Sequence, residues 1–368
     1  MGESDGARLM RSKLKTENRK LKNLSHIAES VARCVGSKLK TENRKLKNLM
    51  AVTVIGILLT SSNLFATQLG GQAGSAMRLG LGADRIGMGD VGTALSGAGM
   101  SWYYNPASPS FQPTRQASLG YRSMSLDRSM MYAGYSMPLQ ENAGVAIGFV
   151  RAATDDIDAR DSNGKRFDML TYSDNLIHGT FCLRPHENFA LGISVKWMFS
   201  AAPKVLIDDK TLYAYGMGID LGIQGRWRKY RFGLEVRDIN SKVNWDASQV
   251  WGDGRGALDD NIPLMFRLGA AYDPRDDLTL AGDLLINPSE AGKSADGFSP
   301  HLGAEWRTLN WENKAFSVRA GYNGDMPTFG MGLGMKLRRG VVAKMDYAYV
   351  IDTVSPAGSH LIGWTFGF

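Results

Sequence analysis

Strict alternation of apolar residues with small or charged residues constrains this chain more than any other feature. The pattern is clearest in 188–200, 211–225, 229–237 and 327–338. In the first of these segments the apolar residues of one parity are Phe189, Leu191, Ile193, Val195, Trp197 and Phe199. Successive side chains of a strand point to opposite faces of the sheet. Each segment therefore predicts a β-strand with one apolar face and one small or polar face.

The alternation continues from residue 115 to the end of the chain and predicts fourteen strands. They are expected at 115–123, 130–138, 142–151, 169–184, 188–200, 211–225, 229–238, 261–273, 276–287, 298–308, 313–322, 327–338, 340–351 and 358–368. Most of them reach roughly ten residues or more, which suits a strand that crosses a bilayer at a tilt. A strand of a soluble sheet is usually shorter.

Charged residues lie in the middle of these strands, on the face opposite the apolar one. They are Lys196, Asp220, Glu235, Arg267, Asp283, Glu305, Arg319, Lys344 and Asp346. Such residues suit a polar barrel lumen better than an exposed flat sheet. We expect the carboxylates of Asp283 and Glu305 to pair with Arg267, Arg307 or Arg319.

The connections between the strands alternate between short and long. Short turns follow the even strands, and longer segments follow odd ones, including 152–168, 201–210, 239–260 and 288–297. Outer-membrane barrels have an even number of strands, short periplasmic turns and long outside loops, whereas a soluble sandwich has no reason to sort its loops. The prediction is an all-β fold: a fourteen-stranded antiparallel transmembrane β-barrel over 115–368, in the outer membrane of a Gram-negative bacterium.

The N-terminal segment predicts export. SKLKTENRKLKNL occurs identically at 12–24 and 37–49, so residues 1–49 are either a start codon placed too early or a long basic leader. An apolar run from Met50 to Leu59 follows, and the polar TSSN separates it from Leu64, Phe65 and Ala66. A basic flank, a short apolar run and a final small residue predict a signal peptide over 50–66, cleaved after Ala66. The alternative is a membrane anchor.

The net charge of +7 gives no support to a nucleic-acid partner. Residues 1–66 hold thirteen of the 43 Lys and Arg residues and five of the 36 Asp and Glu residues, which leaves 30 basic and 31 acidic residues. Nucleic-acid binding needs a basic face on the folded domain.

Motifs for catalysis, metals or cofactors are missing from the sequence. The five histidines are far apart, no H-E-x-x-H or G-x-S-x-G pattern occurs, and the Asp155–Gly164 segment fails the EF-hand spacing. Cys34 and Cys182 leave one thiol after removal of the leader, too few for a disulfide or a cysteine metal cluster. We therefore expect a non-enzymatic protein without a metal or cofactor.

Residues 67–114, called the hatch below, do not alternate. They are rich in Gly and Ala, and Gly87 to Gly92 reads G-x-G-x-x-G, but no predicted strand precedes these glycines and no βαβ unit follows that would favour nucleotide binding. We expect a compact plug inside the barrel. Pro106 holds Asn105 extended, which predicts a rigid corner. We expect Asn105 to bond to the wall, and Gly87 and Gly89 to let the backbone approach it closely.

The hatch resembles the N-terminal region of the PorV/PorQ family, within the broader FadL-like fourteen-stranded barrels. The matching residues are Arg78, Gly80, Gly82, Gly87, Met88, Gly89, Ala94, Leu95, Tyr103, Tyr104, Asn105, Pro106 and Ala107. The resemblance implies a component of type IX protein secretion whose partners are other secretion components and cargo domains delivered to the cell surface. The alternative within the same resemblance is a FadL-like transporter of hydrophobic small molecules.

The last ten residues, SHLIGWTFGF, resemble the C-terminal signal that the barrel-assembly machinery reads. Gly363, Trp364, Phe366 and the terminal Phe368 carry this resemblance. It implies the assembly machinery and outer-membrane lipid as partners.

Overall fold

The computed structural model describes residues 74–97, 99–139, 142–161, 163–203, 211–246, 257–288, 297–308, 314–337, 340–351 and 358–368. The duplicated segment, the signal peptide and residues 67–73 lie outside this part of the chain. In the described part, the chain forms fifteen strands. They are β1 (Gln116–Met124), β2 (Arg128–Leu139), β3 (Ala143–Arg160), β4 (Arg166–His186), β5 (Phe189–Ala202), β6 (Leu212–Trp227), β7 (Tyr230–Asp246), β8 (Ala257–Asn261), β9 (Met265–Arg275), β10 (Leu278–Ile286), β11 (Phe298–Arg307), β12 (Lys314–Tyr322), β13 (Pro327–Lys336), β14 (Val342–Val350) and β15 (Ser359–Gly367).

Fourteen of these strands close into a ring of antiparallel neighbours. β1 pairs with β15 in a register that sets Tyr121 opposite Ile362, and this pairing joins the two ends of the sheet. β7 pairs with β6 on one side and with β9 on the other. The short β8 pairs only with the end of β7 and stands outside the ring. The predicted fourteen-stranded antiparallel barrel is therefore confirmed.

The wall has its apolar face outside and its polar face inside. On β6, Met217 is 56% exposed and Leu221 is 44% exposed, whereas Asp220 is 1% exposed. On β13, Met331 is 53% exposed while Thr328 is fully buried. A soluble protein buries large apolar side chains, so this wall has the opposite arrangement. Such a surface leaves water when it faces the hydrocarbon of a bilayer.

The expected ion pairs lie in the lumen. Arg267 Nε is 3.0 Å from Asp283 Oδ2, and Arg319 Nε is 2.5 Å from Glu305 Oε2. Arg307 adds a contact of 3.3 Å to Glu305. Pairing offsets much of the cost of moving these charges away from water.

Two predicted outside loops are wrong. The segment 152–168 was expected to be a loop, but β3 runs to Arg160 and β4 begins at Arg166. The segment 239–260 contains the end of β7 and most of β8. Beyond the apolar zone, the backbone ladder continues while both faces become polar, so alternation of hydrophobicity no longer marks a strand. The hairpin between β3 and β4 marks the end of the barrel that we call the outer end.

The hatch lies inside the barrel and has four short helical turns. They are a 3-10 turn at Ser75–Arg78, α1 at Ala83–Ile86, α2 at Ser101–Tyr104 and a second 3-10 turn at Ser108–Phe111. Trp102 and Tyr104 are completely buried, and Leu81 is 1% exposed. These side chains fill the lumen that the wall encloses. No helix in the described ranges is long and apolar enough to cross a membrane.

Candidate functional site

Gly87 and Gly89 lie against the backbone of β11, β12 and β13. A Cβ on Gly87 would lie 2.8 Å from the Cα of Gly330. Gly89 has φ 78°, and a Cβ there would overlap the carbonyl oxygen of Leu302. The Gly89 amide donates to Thr328 Oγ1 at 2.9 Å, and its carbonyl lies 2.8 Å from His301 Nδ1. Only glycine allows both this conformation and this approach.

The turn after α1 is held by the carboxylate of Asp283 on β10. The amides of Gly92 and Thr93 donate to Asp283 Oδ2 at 2.9 and 3.0 Å, and Thr93 Oγ1 donates to the same oxygen at 2.9 Å. Arg267 Nε also donates to it at 3.0 Å. One buried carboxylate therefore joins the hatch to a charged side chain of the wall, and charge-assisted bonds of this kind are strong.

The Tyr104 hydroxyl connects separate parts of the hatch by hydrogen bonds. Its hydroxyl donates to Asp90 Oδ1 at 2.6 Å and accepts a bond from the Leu81 amide at 3.0 Å. Burial raises the pKa of Tyr104 well above its ordinary value, so the hydroxyl keeps its proton. Arg267 lies over the Tyr104 ring, 5.0 Å from its centroid. The first and second halves of the hatch are thereby connected.

Asn105 lies at a corner of the hatch, and its side chain hydrogen-bonds both to the rest of the hatch and to the wall. Its Nδ2 donates to the carbonyl oxygens of Thr93 and Ile223, both at 2.9 Å, and lies 3.4 Å from that of Leu234. Its Oδ1 accepts a bond from the Ala107 amide at 3.0 Å. The amide group is fully buried and uses both its donor and its acceptor ends.

Pro106 and Ala107 continue this corner along β5 and β6. A Cβ on Gly192 would overlap the backbone of Pro106, and a Cβ on Gly222 would lie 2.6 Å from the Pro106 Cδ. Ala107 is fully buried and packs with Phe111 and Ala190. Gly192 and Gly222 of the wall thus allow the hatch backbone to approach closely. Gly87 and Gly89 of the hatch allow the same close approach to β11, β12 and β13.

Arg78 reaches the place where β7 changes its partner. β7 pairs with β9 from Tyr230 to Arg237 and with β8 from Lys242 to Asp246, so Asp238 belongs to neither register. Arg78 Nη2 donates to Asp238 Oδ2 at 2.7 Å and to the carbonyl oxygen of Pro263 at 2.6 Å. One hatch side chain therefore bridges the two sides of this discontinuity.

A buried cluster of charges surrounds Asp238. Lys196 contacts Asp238 and lies 2.7 Å from Asp220 Oδ1, and His178 Nε2 is 3.5 Å from Asp220 Oδ2. Asp238 has φ 63°, a conformation that non-glycine residues seldom adopt. The charges of the cluster compensate one another.

The remaining motif residues shape the start of the hatch. Gly80 and Gly82 have φ 77° and 83°, and Gly82 precedes α1. Met88 is 1% exposed and packs with Val91, Leu95 and other small apolar residues. Because the same cluster includes Ala271 of β9, this small core is shared between the hatch and the wall.

A pocket of about 290 Å³ opens near the outer end, between the first 3-10 turn and strands β1 to β4. We call it the outer pocket. It is lined by Ser75, Ala76, Leu79, Met124, Arg128, Ser129, Ala152, Ala153, Thr154, Tyr172 and Asp174. Sequence reasoning did not single out these residues. The only available signal was parity: Tyr172 and Asp174 share the parity of the lumen-facing His178.

The C-terminal signal residues lie in the seam between β15 and its neighbours, where a Cβ on Gly363 would lie 3.7 Å from Ala83 of the hatch. Trp364 stands opposite Leu119, and Phe366 stands opposite Ala117. Phe368 is 54% exposed, and its amide donates to the Arg115 carbonyl oxygen at 2.9 Å. The structure thus places these residues where the barrel closes.

The fold and the filled lumen define a closed fourteen-stranded barrel with an internal hatch. The structure of the Pseudomonas putida toluene transporter TodX is similar, with a TM-score of 0.56 and 12% identity, over 78% of this chain and 99% of that chain. A second TodX structure gives a TM-score of 0.52 at 12% identity, over 78% and 97%. The chain therefore shares their fold.

A FadL homologue from Pseudomonas aeruginosa is also similar, at 11% identity over 77% of this chain and 96% of that chain. Its TM-score is 0.48. No protein-family model and no curated protein sequence matches this chain. Within the described residues, no group of three His, Cys, Asp or Glu side chains is placed to hold a metal ion.

Proposed function

We propose that this chain is a non-enzymatic outer-membrane barrel that admits small hydrophobic molecules. The apolar outer face of the wall supports a membrane location, because it would be costly to expose to water. The likeness to the TodX fold supports transport of hydrophobic molecules over the secretion role, since TodX is named as a toluene transporter.

The outer pocket carries this proposal. It has a volume of about 290 Å³, and Ala76, Leu79, Met124 and Ala152 give it an apolar lining. An apolar cavity of about 150 Å³ is enough to bind benzene in another protein. A pocket of this size and lining therefore suits a single substituted aromatic ring.

Passage beyond the pocket requires the hatch to move. The hatch fills the lumen, and Arg78, Asn105 and Thr93 tie it to several strands. A solute that leaves the pocket has to pass between hatch and wall. The discontinuity at Asp238, close to the first hatch turn, is a place where such a path needs no strand pairing to break.

Uptake measurements test the proposal. Gram-negative cells that lack their own hydrocarbon channels should take up radiolabelled toluene faster when they make this protein. Leu79→Trp should fill the outer pocket and abolish the gain. Leu126→Trp is the matched control, because Leu126 is 70% exposed in the turn after β1 and does not line the pocket. Equal uptake with and without the protein would refute the proposal.

Type IX cargo delivery is the second candidate. Its support is the hatch motif, whose Arg78 and Asn105 both contact the wall. Deletion of the gene in a host with type IX secretion should then reduce cargo on the cell surface, with restoration by the wild type but not by Asn105→Ala. Normal surface cargo in the deletion strain would exclude this role.

A further inference from the structure

We propose that the outer pocket prefers hydrophobic molecules that carry a hydrogen-bond donor, such as a phenolic hydroxyl group, and that Asp174 is the residue that selects them. This inference rests on the proposed function, because it names the class of solute that the same pocket takes.

The Asp174 carboxylate is held in one orientation. Its Oδ1 accepts hydrogen bonds from the Tyr172 hydroxyl at 2.7 Å and from Ser200 Oγ at 2.5 Å. None of the described residues donates a hydrogen bond to Oδ2. The carboxylate is only partly buried and lines the pocket. An oriented carboxylate with one oxygen left open is an acceptor for a ligand donor.

The rest of the lining, among the described residues, combines apolar side chains with the hydroxyl groups of Ser75, Ser129, Thr154 and Tyr172, and it holds no second carboxylate. Ala76, Leu79, Met124 and Ala152 offer only apolar contacts. A ligand therefore places its apolar body against the hatch turn and β3, and its donor against Asp174. An oriented polar group beside apolar side chains fixes the orientation of a ligand in this way.

The charges around the pocket disfavour a carboxylate ligand. Arg128 is the cation of the lining, and its Nε already donates to the Ser125 carbonyl oxygen at 3.0 Å. Asp174 is the only acidic residue in the described part of the lining, and its carboxylate repels the carboxylate of a ligand placed against it.

Three matched probes distinguish the possibilities: ethylbenzene, 4-ethylphenol and 4-ethylbenzoate. Binding of each radiolabelled probe to the full-length, purified barrel in detergent is measured by equilibrium dialysis against protein-free micelles. The wild type should bind 4-ethylphenol about tenfold more tightly than ethylbenzene, the size of one charge-assisted hydrogen bond. Asp174→Asn should lower that preference, and Asp174→Ala should abolish it, with ethylbenzene binding unchanged in both.

Asp168→Asn is the control, because it removes a carboxylate from the same strand, outside the pocket. Heat-dependent gel mobility shows whether each variant is folded. Tyr172→Phe tests the carboxylate independently, because it removes one of the hydrogen bonds that orient Asp174 and keeps the carboxylate itself. An unchanged preference in folded Asp174→Ala, or tighter binding of 4-ethylbenzoate that Arg128→Ala removes, would overturn the inference while the proposed function stands. Absence of binding for all three probes would remove the proposed function as well.

Discussion

The Arg78 guanidinium lies 2.7 Å from the Asp238 carboxylate and joins the hatch to the point where β7 exchanges β9 for β8. The contact is buried on both sides, with side-chain exposures of 4% and 5%. If the hatch filled the lumen without this contact, the charged Asp238 of the wall would face the hatch without the Arg78 guanidinium. Loss of either partner should therefore destabilise both the hatch and the wall.

Asp238→Asn should destabilise the barrel more than Arg78→Ala. Removal of Arg78 leaves Asp238 with Lys196, whereas loss of the Asp238 charge leaves Arg78 without a carboxylate. Breaking a buried pair costs about 3–5 kcal/mol when the other charge stays unpaired. Urea unfolding measures which variant is less stable, and amide hydrogen exchange at 238–241, Ile262 and Leu264 should rise in both variants. The reverse order would contradict this account of the cluster.

Gly89→Ala should greatly lower the amount of folded barrel, whereas Gly97→Ala should have a small effect. Both glycines have a positive φ, 78° and 88°. An added Cβ meets the Leu302 backbone at Gly89 and nothing within 4 Å at Gly97. The second change therefore costs only the left-handed strain of about 1–2 kcal/mol. Heat-modifiable mobility of the two variants gives the comparison, and equal folding of both would argue against close approach.

Asn105→Asp should be more harmful than Asn105→Ala. Asn105 Nδ2 donates to the carbonyl oxygens of Thr93 and Ile223. Aspartate would present an oxygen to those oxygens, while alanine leaves them without a donor at about 1–3 kcal/mol. The free energy of unfolding of each purified variant measures the difference. Better folding of the aspartate variant would mean that the corner is reached by water.

Deletion of Phe368 should lower the amount of assembled barrel in the membrane. The Phe368 amide donates to the Arg115 carbonyl oxygen beside β1, so the deletion removes the last bond of the seam as well as the terminal aromatic ring. Phe368→Leu is the comparison, because it keeps the backbone bond. If the deletion and Phe368→Leu assemble as well as the wild type, the C-terminal resemblance has no role in assembly.

Lys165→Cys should react with a membrane-impermeant maleimide on intact cells, and Glu187→Cys should react only after lysis. Lys165 lies in the turn between β3 and β4, and Glu187 lies in the turn between β4 and β5 at the opposite end. Both side chains are exposed, while the native Cys182 is 1% exposed. The opposite labelling pattern would invert the topology.

Sequence periodicity could predict the ring of strands because a two-sided wall has to alternate. Leu191, Ile193 and Trp197 are all exposed on β5, as their shared parity requires. Periodicity failed where the wall leaves the apolar zone, as at the extension of β3 to Arg160 and at β8. There the strands continue through the backbone ladder, and backbone groups are the same in every residue.

The sequence could predict what kind of contact the hatch makes with the wall, but not which wall residues it contacts. Gly89 indicated close approach, but nothing near it in the chain names Leu302 or Thr328 as its neighbours. The outer pocket left a weaker signal still, because Ala76 and Leu79 lie far along the chain from Met124 and Asp174 and belong to no recognised motif. Such sites depend on which strands meet in the closed ring, a global property that local patterns lack.

The seam between β1 and β15 has a consequence for how the molecule forms. Gly99 of the hatch lies beside Ser118 on β1 and Thr365 on β15, so the hatch contacts both edges that must join. These edges come from opposite ends of the barrel sequence, and contacts between distant parts of a chain form slowly. The hatch therefore contributes contacts to the place where the ring closes, and a barrel without its hatch would close with fewer contacts at this seam.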